Sequence, residues 1–306
     1  MAVIDFYCDS GQDSTKTYWY GTTDIVRSLV EIGDKKVSPT ALTVGNFLNV
    51  NYIVGDERLS LNKNFNISKA DMVHKVCTYA MIHKYVDNGD EVNLVIGTPI
   101  SLYMNEDHKR EYTELMYEPQ VEFTVNGVNK MFRVKSVTIL PESIGYVYNN
   151  IEVFSGRTVG VVDIGSLNIN AAIYQDMYPL KGSEMSLNIG ASVLKTRIKD
   201  ALNEEFVTNI QDYQIEGILE NGLNHPRWIE MDAVIQDVLI SYVTEILVEL
   251  KKRNWDIDTL DIHFTGGGIN LIEDIISEVG NFVISENLIF DNVTGFAELG
   301  GLVNDN

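Results

Sequence analysis

Two short patterns in this chain place a carboxylate beside a glycine at the end of an apolar strand. Asp9-Ser10-Gly11 lies in FYCDSGQDSTKTYWYG, and Asp163-Ile164-Gly165 lies in VGVVDIGSLNINAAIYQD. In each, a second β-prone strand leads away from the turn. Such a pair suits a metal-chelated polyphosphate. Glycine lets backbone N–H groups approach the phosphate oxygens, and aspartate holds the water shell of a hard divalent cation. Taken singly, Asp-x-Gly is common in turns and says little. Its weight here comes from conjunction: two hairpins in similar strand contexts, Pro141-Glu142-Ser143 between them, and a strand, glycine turn and helix in LDIHFTGGGINLI after the second.

The elements that must position these residues follow from local pattern. Residues 2–8 and 15–20 read as the first hairpin. The stretch from there to about residue 67 is rich in short strands and Asn/Gly/Asp turns, with ALTVGNFLNVNYIVGDERLSLNKNF alternating as half-exposed strands do and Gly55-Asp56 as a turn. Residues 68–87 have helical spacing, with Ser68 as N-cap and Asn88-Gly89 as the stop. EVNLVIGTPISLY reads as a buried strand ending at Gly97-Thr98-Pro99, and 105–117 as a polar helix. Asn126-Gly127 marks a hairpin in QVEFTVNGVNKMFRVKSVTIL. Pro141-Glu142-Ser143 is expected to open a helix, in whose first turn a Glu suits the macrodipole. After the second Asp/Gly hairpin come a helix over 190–206 and another over 229–253, with Val234, Ile235, Val238, Leu239, Tyr242, Ile246, Leu247 and Leu250 on one face. Alternating strands and helices, and a hairpin that occurs twice, predict a duplicated α/β fold with a cleft between its halves.

Composition narrows the function classes. At 306 residues and 45% hydrophobic, the chain can build two cores. No apolar run reaches the ~18 residues of a membrane span, and MAVIDFYCDSGQ runs straight into a strand without a basic leader, so a cytoplasmic protein without membrane partners is expected. Cys8 and Cys77 read as reduced packing residues. His74, Cys77 and His83 share one helix, but no second cluster completes a metal site. With Lys+Arg 23 against Asp+Glu 44 and a net charge of −21, the surface should repel nucleic acid and anionic lipid, so any link to DNA needs an adaptor.

The order of these motifs is that of the superfamily of actin, heat-shock chaperones and sugar kinases. DSGQDSTK, from Asp9 to Lys16, resembles its first phosphate motif, DIGSLNIN its second, and FTGGGINLI its adenosine motif. VIGTPISLY, SVTILPESIGYVY, NIGASVLKTRIKDAL and GFAELGGLV further resemble the ParM-like bacterial actins, over nearly the whole chain.

The resemblance implies an α/β fold of duplicated actin-like, ribonuclease H-like domains flanking a nucleotide cleft, with a small β-rich subdomain inserted in the first half. Domain I would span 1–158, with the subdomain at about 22–87, and be completed by about 287–306. Domain II would span 159–286, with a helical insertion at about 190–254. Asp9 and Asp163 would hold Mg²⁺ through water. Ser10, Gly11, Gln12, Asp13 and Lys16 would face the phosphates of ATP or ADP, with GTP as the second candidate, from one side. Gly165, Ser166, Leu167 and Asn168 would face them from the other. Glu142 matches the residue that activates the attacking water. Gly266, Gly267, Gly268 and Ile269 would pack against the nucleoside, with Lys199 and Asp200 near base and ribose. Gln12, Asp13 and Asn168 depart from the small residues usual at their places, and Asp13 sets a carboxylate near phosphates unless it turns outward or onto the metal. The implied activity is a nucleoside-triphosphatase that polymerises on binding nucleotide, partners itself in a filament, and drives plasmid or other DNA segregation through a ParR-like DNA-binding adaptor. The alternative is a non-polymerising small-molecule kinase or phosphatase of the same superfamily, which would need a further catalytic Asp that the sequence does not offer.

Overall fold

A computed structural model describes residues 2–57, 68–222 and 227–304. The chain divides into two compact units, residues 1–155 with 289–306, and residues 156–288. Each has its own hydrophobic core.

The first unit opens with strands β1 (Val3–Ser10), β2 (Ser14–Trp19), β3 (Thr22–Arg27), β4 (Val30–Ile32), β5 (Leu42–Phe47) and β6 (Val50–Val54). It continues with helix α1 (Met72–Tyr85), β7 (Asp90–Thr98), α2 (Ile100–Tyr103), α3 (Glu106–Met116), β8 (Val121–Val125) and β9 (Val128–Pro141). Short helices α4 (Ile144–Asn149) and α5 (Ile151–Phe154) close this part. The second unit holds β10 (Thr158–Ile164), β11 (Ile169–Gln175), β12 (Tyr178–Pro179), β13 (Met185–Leu187), α6 (Ala191–Phe206), α7 (Asp212–Asn221) and α8 (Trp228–Lys252). It ends with β14 (Asp261–Thr265), a 3₁₀ turn (Gly267–Leu271), α9 (Glu273–Val279) and β15 (Val283–Ile284). Helix α10 (Asp291–Asn304) returns to the first unit.

The strand order is β3-β2-β1-β7-β9-β8-β5-β6-β4 in the first sheet and β12-β11-β10-β14-β15 in the second, where β13 also pairs β11. In both, an antiparallel hairpin (β1/β2, β10/β11) carries the motif, and its first strand runs parallel to the next one inward (β7, β14). Parallel strands buried on both faces are apolar almost throughout, as YCDS and GVVDI require. Asp9 and Asp163 therefore lie near the ends of core strands, both largely buried.

Three expectations shift. The helix expected at Ser68 begins at Met72, with Asp71 as N-cap accepting the His74 N–H at 3.0 Å. The chain before it is committed elsewhere: Lys69 is buried, and its carbonyl accepts the Asp71 N–H at 2.9 Å. The β5/β6 hairpin turns at Leu48-Asn49, both left-handed with φ of 51° and 66°, as a type I′ turn demands. Gly55-Asp56 instead clasps the preceding segment, the Gly55 N–H donating to Leu29 O and the Asp56 carboxylate accepting from the N–H groups of Val37 and Ser38. The rest of that stretch, beyond residue 57, lies outside the described residues. Finally, Pro141 ends β9 rather than opening a helix, and Glu142 sits at a strand-to-helix corner, outside any first helical turn. The Asn126-Gly127 hairpin forms as read, with φ of 48° and 81°.

Among the described residues no helix is long and apolar enough to cross a membrane. Cys8 and Cys77 are free thiols in the first core. Of the helix α1 histidines, His74 faces Asp71 at 2.7 Å and His83 meets the Val128 carbonyl at 2.9 Å.

Candidate functional site

In the first unit the turn from β1 to β2 is built on Gly11, whose N–H lies 3.1 Å from both Asp9 O and Ser14 O. A side chain there would meet Ser14 O at 2.8 Å and Lys16 Nζ at 3.1 Å, so only glycine lets the loop fold this tightly. A buried chain of hydroxyls braces it from beneath: Ser10 Oγ lies 3.3 Å from Thr15 Oγ1, Thr15 Oγ1 lies 2.9 Å from Ser28 Oγ, and Ser28 Oγ donates to Gly11 O at 2.6 Å. Ser10 thus spends its hydroxyl inside the protein. The Asp13 carboxylate is partly buried. Arg27 on β3 takes it at 2.5 Å, and Arg27 also reaches Glu57 at 3.2 Å. That pairing offsets the charge of an acidic residue in this turn.

Asp9 stands between two ammonium groups. Lys16 Nζ lies 3.4 Å from its Oδ2, and Lys69 Nζ lies 3.4 Å from its Oδ1. Lys69 also pairs with Glu142, bringing two of the three carboxylates expected in the site, Asp9 and Glu142, onto one cation. Its side chain is only 3% exposed. Burial alone would push the Asp9 carboxyl up, but the Lys16 and Lys69 charges outweigh it and hold the group below the usual carboxylate range. Burial likewise works against the Lys69 charge, and the fields of Glu142 and Asp9 reverse it, raising the ammonium above the ordinary lysine range.

The Glu142 corner is held from several sides. Its N–H donates to Thr98 O at 2.8 Å, tying it to the end of β7. Ser143 takes a left-handed φ of 75°, uncommon for a residue with a side chain, and its N–H donates to Asn292 Oδ1 at 2.9 Å. Asn292 belongs to α10, which crosses α4 at Gly145 and Gly295. A Cβ on Gly295 would stand 1.8 Å from Gly145 O. The terminal GFAELGG segment thus acts on the site at a distance, by letting α10 come close enough to fix the corner.

In the second unit, Gly165 N donates to Asn168 O at 2.9 Å and closes the turn between β10 and β11. The start of α6 is stitched to this loop: Ala191 N donates to Gly165 O at 3.0 Å, Ser192 N to Ser166 O at 2.8 Å, and Gly190 N to Leu167 O at 2.9 Å. Ser166 and Ser192 hydroxyls lie 2.8 Å apart. A Cβ on Gly190 would lie 2.5 Å from Ser166 O, which explains the glycine of NIGAS. Asn168 Nδ2 faces Asn170 Oδ1 at 3.4 Å.

The glycine turn packs onto the same loop. Gly266, with φ of 94°, would place a Cβ 2.4 Å from Asp163 Oδ1, and Gly268 one 2.5 Å from Ile164 Cγ2. The structure therefore gathers Asp163, Gly165 to Asn168, Gly190 and Gly266 to Gly268 into one cluster, with Ile269 buried beside it. Lys199 and Asp200 lie two turns along α6. Lys199 Nζ pairs with Asp212 Oδ1 at 2.8 Å and Asp200 Oδ1 at 3.5 Å, and both carboxylates are exposed.

Sequence reasoning missed Arg27, Ser28 and above all Lys69. None lies in a motif, and a lysine ahead of a helix ordinarily reads as solvated. Asp9 in the first unit and Asp163 in the second are each a buried hard-oxygen donor of the type that suits Mg²⁺, and each lies beside a glycine whose Cβ would crowd the carboxylate or the turn that carries it.

Residues 8–145 match the family of actin-like proteins at their N-terminal domain. No curated protein matches. Among solved structures, the archaeal actin homologue Ta0583 superposes with a TM-score of 0.82 at 15% identity, covering 98% of this chain and 99% of that one. Another structure of that homologue is a complex with ADP. The apo pSK41 ParM protein gives 0.73 at 19% identity, with 99% and 98% covered. A 15-stranded ParM filament from Clostridium botulinum gives 0.79 at 14% identity, with 99% and 100% covered. At these identities the likeness establishes the fold, and it is the actin-like fold that the motif order implied.

Proposed function

We propose that this chain, actin-like in fold and matched over residues 8–145 to the actin-like N-terminal domain, binds a purine nucleoside triphosphate, hydrolyses it, and polymerises under its control. The observation that carries this reading is the buried cluster of Asp9, Lys69 and Glu142 beside the glycine turn of the first hairpin. A structural hairpin has no need of two buried carboxylates sharing one lysine, whereas hydrolysis of a phosphoanhydride needs a base, a metal-ordering carboxylate and positive charge in one place.

In this mechanism Asp9 and Asp163 would hold Mg²⁺, which when bound would supply charge neutralisation to the phosphates. Lys16 adds a second positive charge at the first turn. Glu142 orients a water; as the water's oxygen joins the terminal phosphorus, its proton passes to Glu142, and the bridging oxygen leaves with the electron pair of the broken P–O bond. The loop from Gly165 to Asn168 and the Gly266 to Gly268 turn hold phosphate and nucleoside.

Two facts about neighbours support the assembly half of the reading. A protein of this fold is solved with ADP, and another is solved as a filament. The net charge of −21 supports an adaptor between such a filament and DNA, since the bulk surface repels phosphate backbones. Hydrolysis then serves as a timer on subunit contacts, which is the segregation role we assign.

The test is light scattering and electron microscopy of the protein with Mg-ATP and Mg-GTP, beside Glu142→Ala. Filaments that persist in the variant while phosphate release is lost are expected. Monomers throughout, at tens of micromolar protein and across salt, refute the proposal.

A further inference from the structure

Lys69 belongs to none of the motifs, yet it is the residue on which Asp9 and Glu142 of the first unit converge. It lies three residues before α1, in a segment whose backbone turns back on itself through the Asp71 N–H to Lys69 O bond at 2.9 Å. From there its side chain runs inward, 3% exposed, to reach Glu142 and Asp9 together. His108 and the fully buried Tyr112 are close enough to feel the charges of this cluster.

Burying a lysine is costly, and a buried ion pair is poor value as a pure stabiliser, because well-packed apolar groups of like volume serve stability as well or better. The arrangement makes sense instead as a means of fixing two carboxylates relative to one another inside the protein. A Glu142 turned away from the water cannot take a proton from it. The backbone fixes only the start of the Glu142 side chain, through Thr98 O and the left-handed Ser143. The carboxylate end is oriented by Lys69.

We propose that Lys69 is a positioning residue for hydrolysis: its ammonium aims the Glu142 carboxylate and locks it in register with Asp9. This deepens the reading given under Proposed function and rests on it. Lys16, the other cation on Asp9, approaches Oδ2 at 3.4 Å, whereas Lys69 reaches Oδ1 and Glu142 together. The role is distinct from nucleotide holding, since Lys69 acts through side chains and not through the glycine turns.

The experiment compares wild type, Lys69→Met, Lys69→Arg, Glu142→Gln and Lys69→Met/Glu142→Gln for ADP affinity by fluorescence titration, phosphate release with Mg-ATP, and thermal unfolding without nucleotide. Lys69→Met is expected to slow phosphate release about 100-fold, at the lower end of what acid–base positioning is worth, with ADP affinity within about 3-fold of wild type, the reach of an indirect effect. Lys69→Arg should recover most of the rate. The double variant should be no slower than Glu142→Gln alone, because both changes remove one function. In the unfolding arm, Glu142→Gln should lower the midpoint when Lys69 is present and raise it when Met stands there, since the substitution then relieves a bare buried carboxylate. The double variant also keeps the comparison usable where Lys69→Met is too unstable to assay. Normal turnover in Lys69→Met overturns the assignment, and so does a rate loss matched by ADP affinity, the mark of a merely structural role. Wild type that binds ADP but releases no phosphate, or binds no nucleotide at all, refutes the underlying function first and the assignment with it. That outcome is told apart by appearing in the unmodified protein.

Discussion

Replacing Gly266 with alanine should separate two costs that are usually confounded. The first is conformational: φ is 94°, where a side chain is strained whatever the space around it, at about 1–3 kcal/mol. The second is steric, because the new Cβ would stand 2.4 Å from Asp163 Oδ1 and 2.5 Å from Ile164 O. Neither neighbour is the free end of a flexible chain: one is a buried carboxylate and the other is backbone. Overpacking of this kind costs about 1–3 kcal/mol more. Gly182 provides the control, with φ of 88° and nothing within 4 Å of its Cβ position. Gly182→Ala should therefore show the conformational cost alone. The difference of about 2 kcal/mol corresponds to roughly 4–8 °C in the unfolding midpoint for a unit of this size. It should be read by calorimetry on both variants in one buffer. Gly266→Ala should also weaken ADP binding more than about 10-fold, since even a 1.4 kcal/mol loss does so, while Gly182→Ala leaves it unchanged. Equal midpoints and equal affinities would refute the claim that this glycine exists to admit the Asp163 carboxylate.

Other perturbations probe the first unit. Arg27→Ala should change the unfolding midpoint little, because the half-exposed Arg27–Asp13 pair is worth about 1 kcal/mol at most. It should nevertheless weaken triphosphate binding several-fold at low salt, with the loss shrinking as salt rises; titration at two ionic strengths reads this. Leu48→Asn should stabilise by about 0.5–1 kcal/mol, because φ of 51° at an exposed turn residue suits Asn better than Leu; a denaturant melt with an unchanged or lower midpoint contradicts it. Asp9, held below its ordinary range, contributes stability that is present above the unfolded value of ~4 and is lost as pH falls through its lower folded value. Lys69, raised above its ordinary range, contributes stability that is lost only as pH rises through that raised value. Thermal midpoints should thus show a full and pH-independent contribution from this pair between about pH 5 and 10, and Asp9→Asn should flatten the acid limb; an acid limb unchanged in that variant counts against the pairing.

What the sequence disclosed was whatever depends on neighbours along the chain. Apolar runs located β1, β7 and β10, Asn126-Gly127 located its hairpin, and the apolar stripe of 229–253 located α8. The glycines of the motifs were legible because a tight turn constrains residue type at fixed spacing. Features that depend on distant residues were not. Lys69 meets Asp9 across 60 positions and Glu142 across 73, so no local pattern announces it. The Ser68 cap lost to Asp71 because a tertiary ion pair, absent from any propensity, claims the chain just before the helix. Leu48-Asn49 turns against Leu's own preference because the strands on either side fix the register. Glu142 left the helix because Asn292, 149 residues on from Ser143, holds Ser143 left-handed.

The two units share one motif and differ in what surrounds it. In each unit the Asp ends a strand whose parallel neighbour delivers a glycine beside it: Gly97, whose Cβ would lie 3.7 Å from Asp9 Oδ1, and Gly266, 2.4 Å from Asp163 Oδ1. The common geometry is thus carboxylate against glycine at a strand end. What approaches next is not common. In the first unit it is charge: Lys16, Lys69 and Glu142. In the second, the adjoining turn is stitched by backbone and hydroxyl: the Gly190 and Ala191 N–H groups donate to Leu167 O and Gly165 O, and Ser166 meets Ser192. Charge that changes sign or proton state does chemistry, whereas a stitched backbone holds shape. On that ground, substitutions around Asp9 should alter turnover more than affinity, and substitutions around Asp163 the reverse. A phosphate-release and ADP-affinity pair measured for Lys69→Met and Gly190→Ala decides it, since the two variants should fall on opposite sides of wild type in the ratio of rate to affinity.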